Sequence, residues 1–453
     1  METAELAGRD LTSGSIHRNI WYLAIPMMLE SGIQNVSQLL DTYWVGQLGS
    51  AALATVTLSV TIRWVLNSLA NGLGVGGMAI VARRVGERDD LSTQHAVWQT
   101  ILLGIGVSVG ISILGVALAR PLLVLLGAEA EVLRLGLSYL HVVMGGMFAL
   151  VLVFIVNSLL RGAGEARLAM TVLLVCTAVN VILEPLLIWG WGPFPSLGVV
   201  GSAWANVLGF SVGLCVQAVI LLRGRARVAI NMHDLAPDPR LMGNIILIAL
   251  PSTAQMILRS SSRLVIVGLV GMFGTFALAG YGVANRMLLI LLIPLFGLGN
   301  AASTLVGQNL GASKPERAER NAWWVAAYAV GIMAVTATFL FAYARPIIAF
   351  FDATPQVIAI GGEAIRFIAP TLVFSALGVV LGGAFSGAGD TLPAMIINLA
   401  TLWGLEVALA YALVHWAGQG LTGIWWGRAA ANVANGVIFA IWFRAGKWKQ
   451  RRV

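Results

Sequence analysis

Residues 180–190 read NVILEPLLIWG. Most of these side chains are bulky and apolar, so the stretch reads as part of a helix that crosses a membrane. Asn180 and Glu184 nevertheless stand inside it one helical turn apart, with Pro185 directly behind. An ionisable side chain at the centre of a bilayer costs about 2.5–3.5 kcal/mol even on insertion scales, and such residues mark ion or substrate paths.

The composition extends the membrane reading to the whole chain. Of 453 residues, 58% are hydrophobic and only 11% charged, and the mean hydropathy is +0.86, which excludes a water-soluble globular protein. Apolar runs of about 20 residues recur along the length, as helical spans do and as the weaker alternation of an outer-membrane barrel does not. The expected class is an all-α integral membrane protein. The opening METAELAGRDLTSGSIHRNI is polar and runs straight into the first span, so no cleavable signal peptide is expected.

Several function classes drop out. The only lysines are Lys314, Lys447 and Lys449, and none follows a glycine and precedes Ser or Thr as a Walker A loop requires. No histidine pairs with another His, Cys or acid at ligand spacing, so no metal site is expected. Cys176 and Cys215 fall inside predicted spans and read as small packed residues. A lipid-modifying enzyme would need a His/acid or Ser/His constellation, and neither His141 nor His415 has an acid at helical spacing.

Breaks in the apolar runs give twelve spans, at about 18–45, 51–80, 92–118, 132–160, 167–190, 198–222, 242–269, 276–306, 318–344, 357–385, 391–416 and 422–444. Arginine and lysine crowd into the terminal segments and alternate loops, for example Arg83, Arg84 and Arg88, then Arg223, Arg225 and Arg227. By the positive-inside rule both termini are expected in the cytoplasm. The +8 net charge is thus spent on topology and leaves no patch for nucleic acid.

The two halves repeat at one constant offset. Pro26 matches Pro251, Gly72-Leu73-Gly74 matches Gly297-Leu298-Gly299, Arg120-Pro121 matches Arg345-Pro346, and Gly162-Ala163-Gly164 matches Gly387-Ala388-Gly389, each 225 positions apart. The chain therefore reads as a duplicated six-span unit: a first lobe over 1–222, a cytoplasmic linker over 223–241, and a second lobe over 242–453. Six being even, the copies insert with the same orientation and rock about a central site in transporters of this plan.

The charges inside the spans sort by partner. Glu30 and Arg63, at similar depth on spans 1 and 2, are expected to form a structural pair, as is Glu406 with Arg259 or Arg263, which lie one turn apart on span 7. Asp41, on span 1, and Asn180 and Glu184, on span 5, sit at similar depth towards the outer side and converge if those spans pack together. Two carboxylates in a low-dielectric pocket do not both ionise comfortably, which is the chemistry of a proton carrier; the same oxygens could ligate a small cation. Pro26 and Pro185 weaken the backbone ladder of these two spans and are candidate hinges.

Pro26, DTYWVGQLGSAALA from Asp41, GLGVGGMAIVARRVGERD from Gly72, RGAGEARLAM from Arg161, NVILEPLLIWG from Asn180, GVVGSAWAN from Gly198 and SGAGDTLPAM from Ser386 together resemble the MATE family, the multidrug and toxic compound extrusion transporters. The resemblance implies a MOP-type fold of two pseudo-symmetric six-helix bundles in the cytoplasmic (inner) membrane of a bacterium or archaeon. It implies an antiporter, not an enzyme, that exports organic, often cationic, drugs as a monomer in membrane lipid, with protons or sodium ions as the coupling ion and no other cofactor. In the prokaryotic DinF-like branch the ion site is an aspartate on span 1 with an Asn-x-x-x-Asp-Pro motif on span 5, matched here by Asp41, Asn180 and Glu184. Gln34, Tyr139, Asn157 and Ser202 are implied to line the same cavity.

Two departures from the family pattern stand out. Glu184 replaces the span 5 aspartate, and span 7 offers Gln255 and Arg259 where the NorM-like branch carries an acid, so a cation site in the second lobe is not expected. Arg259, with Arg263 and Arg286, also suits an alternative, a flippase for a lipid-linked envelope precursor, whose phosphates need cationic contacts.

Overall fold

The computed structural model describes residues 9–223, 228 and 236–451, and these form helices and no strands. The expected linker, with Arg225 and Arg227, lies largely outside the described residues, as does Arg452. In chain order the helices are α1 (Ile16–Gly46), α2 (Ser50–Glu87), α3 (Asp90–Leu125), α4 (Ala130–Gly145), α5 (Met147–Gly162), α6 (Ala166–Trp189), α7 (Val199–Leu222) and α8 (Pro239–Gly271). There follow α9 (Thr275–Leu291), α10 (Ile293–Gly311), α11 (Pro315–Phe351), α12 (Pro355–Ile368), α13 (Leu372–Gly387), α14 (Thr391–Asn398), a π-helical stretch over Leu399–Val407, α15 (Ala408–His415) and α16 (Gly420–Arg444).

These helices make up the twelve spans. Ten spans pass on length and apolarity among the described residues when α4 and α5, bent by 46° at their junction, are taken as one. The other two are α1, which carries Glu30 and Asp41, and α16, which carries Arg428, Asn432 and Asn435. Three spans are broken where the sequence supplies the means: Gly146 separates α4 from α5, Pro294 follows the α9/α10 junction, and Pro370 sits in the 3₁₀ turn Ala369–Thr371 between α12 and α13.

The chain folds as two units, and the partition falls inside two helices. The first unit holds the segment ending at Leu11 and Leu29–Leu250; the second holds Thr12–Met28 and the chain from Pro251 onward. The early part of α1 thus belongs with the second unit and the early part of α8 with the first. Pro26 and Pro251, equivalent at the 225-residue offset, lie at these two divisions.

The duplication reappears as packing. A Cβ built on Gly162, at the end of α5, would lie 2.8 Å from the Met78 carbonyl oxygen on α2, and Gly387 stands in the same way against the carbonyl of Ser303 on α10. On Gly136 it would lie 3.0 Å from Leu123 Cδ1, and on Gly361 3.0 Å from Ile348 Cδ1. Every residue of the second pair in each case follows its counterpart by 225 positions. Only glycine lets two helix backbones approach this closely, and small residues serve the same purpose throughout membrane bundles.

Inside the first unit, Asp89 caps α3 by accepting from Ser92 N at 3.0 Å and Ser92 Oγ at 2.7 Å. Asp238 starts α8 by accepting from Arg240 N at 2.9 Å and Leu241 N at 3.1 Å. Gln99 on α3 holds the same segment, donating to the Ala236 carbonyl at 2.7 Å and accepting from Asp238 N at 3.0 Å.

Candidate functional site

The site in the first unit begins with a tight helical hairpin. Gly190, with φ 72°, ends α6 in the left-handed conformation, and Leu197 N returns to the Leu187 carbonyl at 2.9 Å. On α7, a Cβ at Gly201 would sit 2.5 Å from the Leu187 carbonyl oxygen, one at Gly209 2.8 Å from that of Cys176, and one at Gly213 against Cys176 Sγ. These glycines bring the α7 backbone against α6, so that Ser202 and Asn206 lie beside Asn180 and Glu184.

The four polar residues of the hairpin meet α1, α2 and α4. Glu184 is fully buried at 0% exposure and Asn180, Ser202 and Tyr139 are buried, whereas Asp41 is half-buried. The Asp41 carboxyl is within hydrogen-bonding reach of Glu184 and Asn206, and Arg63 acts on it through space. With its amide assigned in the orientation that satisfies both ends, Asn180 Nδ2 donates to Asp41 Oδ1 at 3.0 Å, and Oδ1 accepts from Asn206 N at 3.2 Å and Nδ2 at 3.3 Å. Tyr139 is in hydrogen-bonding reach of Ser202 and within electrostatic range of both carboxyls. Neither Glu184 oxygen receives a bond from a fixed donor; the Asp41 carboxyl and the Ser202 hydroxyl face it.

Pro185, next to Glu184, has no N–H, so the carbonyl of Val181 lacks its intrahelical donor. Towards the outer end, Trp44, one turn beyond Asp41, packs edge-on to Trp189 at 5.3 Å, and Trp189 stacks on Trp191 at 5.8 Å. Gln34 is half-buried on α1, two turns before Asp41.

The expected charge pairs are corrected by the structure. Glu30 Oε1 accepts from Arg161 Nη1 at 2.9 Å, not from Arg63. Depth along a helix says nothing of the direction a side chain takes, and Arg161 turns inward from the last turn of α5. Asn157 belongs to this second cluster: it donates to Glu30 Oε1 at 3.4 Å and accepts from Gln217 Nε2 at 2.8 Å. Glu406 accepts from Arg428 Nη1 at 3.1 Å and pairs with neither Arg259 nor Arg263, because one short turn joins its helix to α16. Sequence reasoning misses Asn206 and the place of Arg63 beside Asp41; Asn206, one turn after Ser202 within an apolar helix, carries the same signal as Asn180.

The profile of the MatE family matches residues 26–186 and again 251–412, two matches whose starts differ by 251 − 26 = 225. The chain belongs to the MATE family. It is 26% identical to a probable multidrug resistance protein NorM of Thermotoga maritima over 97% of this chain and 94% of that one. It is 27% identical to the FAD transporter of Shewanella oneidensis, over 88% of each. Among solved structures, a MOP superfamily transporter from Pyrococcus furiosus, described by the reverse polarity of its binding pocket, superposes with a TM-score of 0.90 at 27% identity over 98% of both chains. This MATE protein is thus a membrane transporter of the multidrug efflux family.

Proposed function

We propose that the protein is a proton-coupled antiporter that exports organic compounds, often cationic ones, with Asp41 and Glu184 as the coupling pair. The observation that carries the reading is the contact of these two carboxyls in the interior of the first unit, with no fixed donor on Glu184. Two ionised carboxylates in contact repel, and a shared proton turns the repulsion into a hydrogen bond. Asn180 favours the proton over sodium: its oxygen is occupied by Asn206 and it presents its N–H to Asp41, a donor where a cation would need an oxygen. Arg63 adds a further positive charge beside Asp41.

Substrate and proton bias one another's occupancy, which is the thermodynamic content of coupling. Trp44 and Trp189 supply flat aromatic surface for organic cations next to the pair. Pro26 and Pro185 act as hinges in this scheme, both termini are cytoplasmic, and the transporter works as a monomer in the inner membrane. Purified protein in liposomes preloaded with a cationic dye tests the reading: an imposed proton gradient moves dye in the wild type and not in Glu184→Gln or Asp41→Asn. Dye movement driven by sodium alone would reassign the ion, and neutral variants that transport like wild type would remove the pair from the mechanism.

A further inference from the structure

The second unit carries charge of the opposite sign. Arg259 and Arg263 lie one turn apart on α8 and Arg428 lies on α16, near enough to act on one another through space. Among the described residues one acid answers them, Glu406, bound to Arg428 at 3.1 Å. Among the described residues neither Arg259 nor Arg263 has an ion-pair partner, and Arg259 is exposed. Arg286 stands exposed on α9 and is not part of the group.

The cluster also holds buried donors that lack acceptors: Arg263 Nε, Arg428 Nε, the Tyr281 hydroxyl and Trp425 Nε1. Tyr281 acts on both Arg263 and Arg428 through space, and its ring stacks on Trp425 at 5.7 Å and 15°. Buried donors are nearly always satisfied in folded proteins, by protein or by water, so a group of them around guanidiniums is open to an acceptor from outside the chain. Glu406 sits in the π-helical stretch, a backbone form concentrated at functional sites, and Trp403 of that stretch donates to the Leu258 carbonyl at 3.1 Å, beside Arg259.

The duplication sharpens the contrast. At the 225-residue offset Arg259 and Arg263 correspond to Gln34 and Gln38, while Asp41 and Glu184 correspond to Ile266 and Leu409. One copy carries acids and amides, and the other has apolar residues in place of the acids and arginines in place of the amides. We infer that the second unit binds an oxyanion, the phosphate-type group of an organic anion, on Arg259, Arg263 and Arg428 with Tyr281 and Trp425 beside it. Guanidinium forks match phosphate oxygens bidentately, and the stacked rings give the organic part a flat wall. The inference is independent of which ion drives export.

The test is calorimetric titration of the purified full-length protein, in neutral detergent, with inorganic phosphate, phenyl phosphate and phenyltrimethylammonium, together with native mass spectrometry after exposure to phosphatidylglycerol or phosphatidylcholine. The expected result is saturable binding of an anionic probe, weakened about tenfold or more for each arginine removed in Arg259→Gln and Arg263→Gln. The Arg→Lys pair keeps part of it, because charge remains and the fork is lost. Glu406→Gln, prepared as a separate variant, tightens it by releasing Arg428. Tighter binding of phenyl phosphate identifies a soluble organic anion; arginine-dependent retention of phosphatidylglycerol alone identifies a lipid headgroup. Failure of every anionic probe to bind, or binding that persists unchanged in the double glutamine variant, overturns the inference.

Discussion

Asp41 and Glu184 face one another from α1 and α6, yet only Asp41 is partly open to solvent. In the proposed mechanism Glu184 exchanges its ion past Asp41. Asp41→Asn should slow the exchange as well as remove a carboxyl, whereas Glu184→Gln should abolish coupling while leaving Asp41 accessible. Both should bring dye movement driven by an imposed gradient down to the protein-free background. Stopped-flow proton release on addition of dye separates them: absent in Glu184→Gln, slowed in Asp41→Asn.

Gly209 fixes the spacing of the hairpin that carries Asn180. An added Cβ there would lie 2.8 Å from the Cys176 carbonyl and 3.3 Å from Asn180 Cβ, whereas at Gly243 on α8 it would meet nothing within 4 Å. Gly209→Ala should destabilise by about 1–3 kcal/mol through overpacking, and Gly243→Ala should stabilise by roughly 0.5–1 kcal/mol through helix propensity. Thermal melting of the two variants in the same detergent checks the opposite signs.

Arg161→Ala leaves the Glu30 carboxylate buried without its ion-pair partner and should cost about 3–5 kcal/mol. Arg63→Ala makes no such hole and should instead change transport, because its charge acts on Asp41. The combination Glu30→Gln with Arg161→Met should recover most of the melting temperature lost by Arg161→Ala.

Asp238, in the loop ahead of α8, is held below the usual carboxylate range, chiefly by the backbone hydrogen bond from Leu241. Folding therefore gains from its ionised form above the unfolded value of about 3.9, and that gain disappears as pH falls through the lower folded value. The deficit of Asp238→Ala in melting temperature should be flat at neutral pH and shrink on acidification below the ordinary carboxylate range. Asp89, lowered by its bonds from Ser92, should show the same profile in Asp89→Ala.

The all-helical membrane fold and the duplication were open to reading in the sequence because both rest on pattern: apolar length for the spans, and one repeated offset for the copies. Asp41, Asn180 and Glu184 stood out because polar groups in hydrocarbon need a reason. What failed was the choice of partner. Glu30 meets Arg161 and Glu406 meets Arg428, since pairing depends on how each helix is turned about its axis, which span depth does not encode. Asn157, which the family resemblance implies at the cavity, bonds to Glu30 and Gln217, a contact that span depth does not encode either. The exchange of helix segments at Pro26 and Pro251 left no mark in hydropathy, because both parts of each helix are apolar.

That exchange has a consequence for biosynthesis. The stretch from Thr12 to Met28 leaves the ribosome more than 200 residues ahead of the chain from Pro251 onward that forms the rest of its unit. The first helix must wait in the bilayer, half of it without its packing surface, until the second repeat has been inserted. Neither repeat expressed alone contains a whole folding unit, so the gene can be cut between the copies only if both fragments are made in the same membrane.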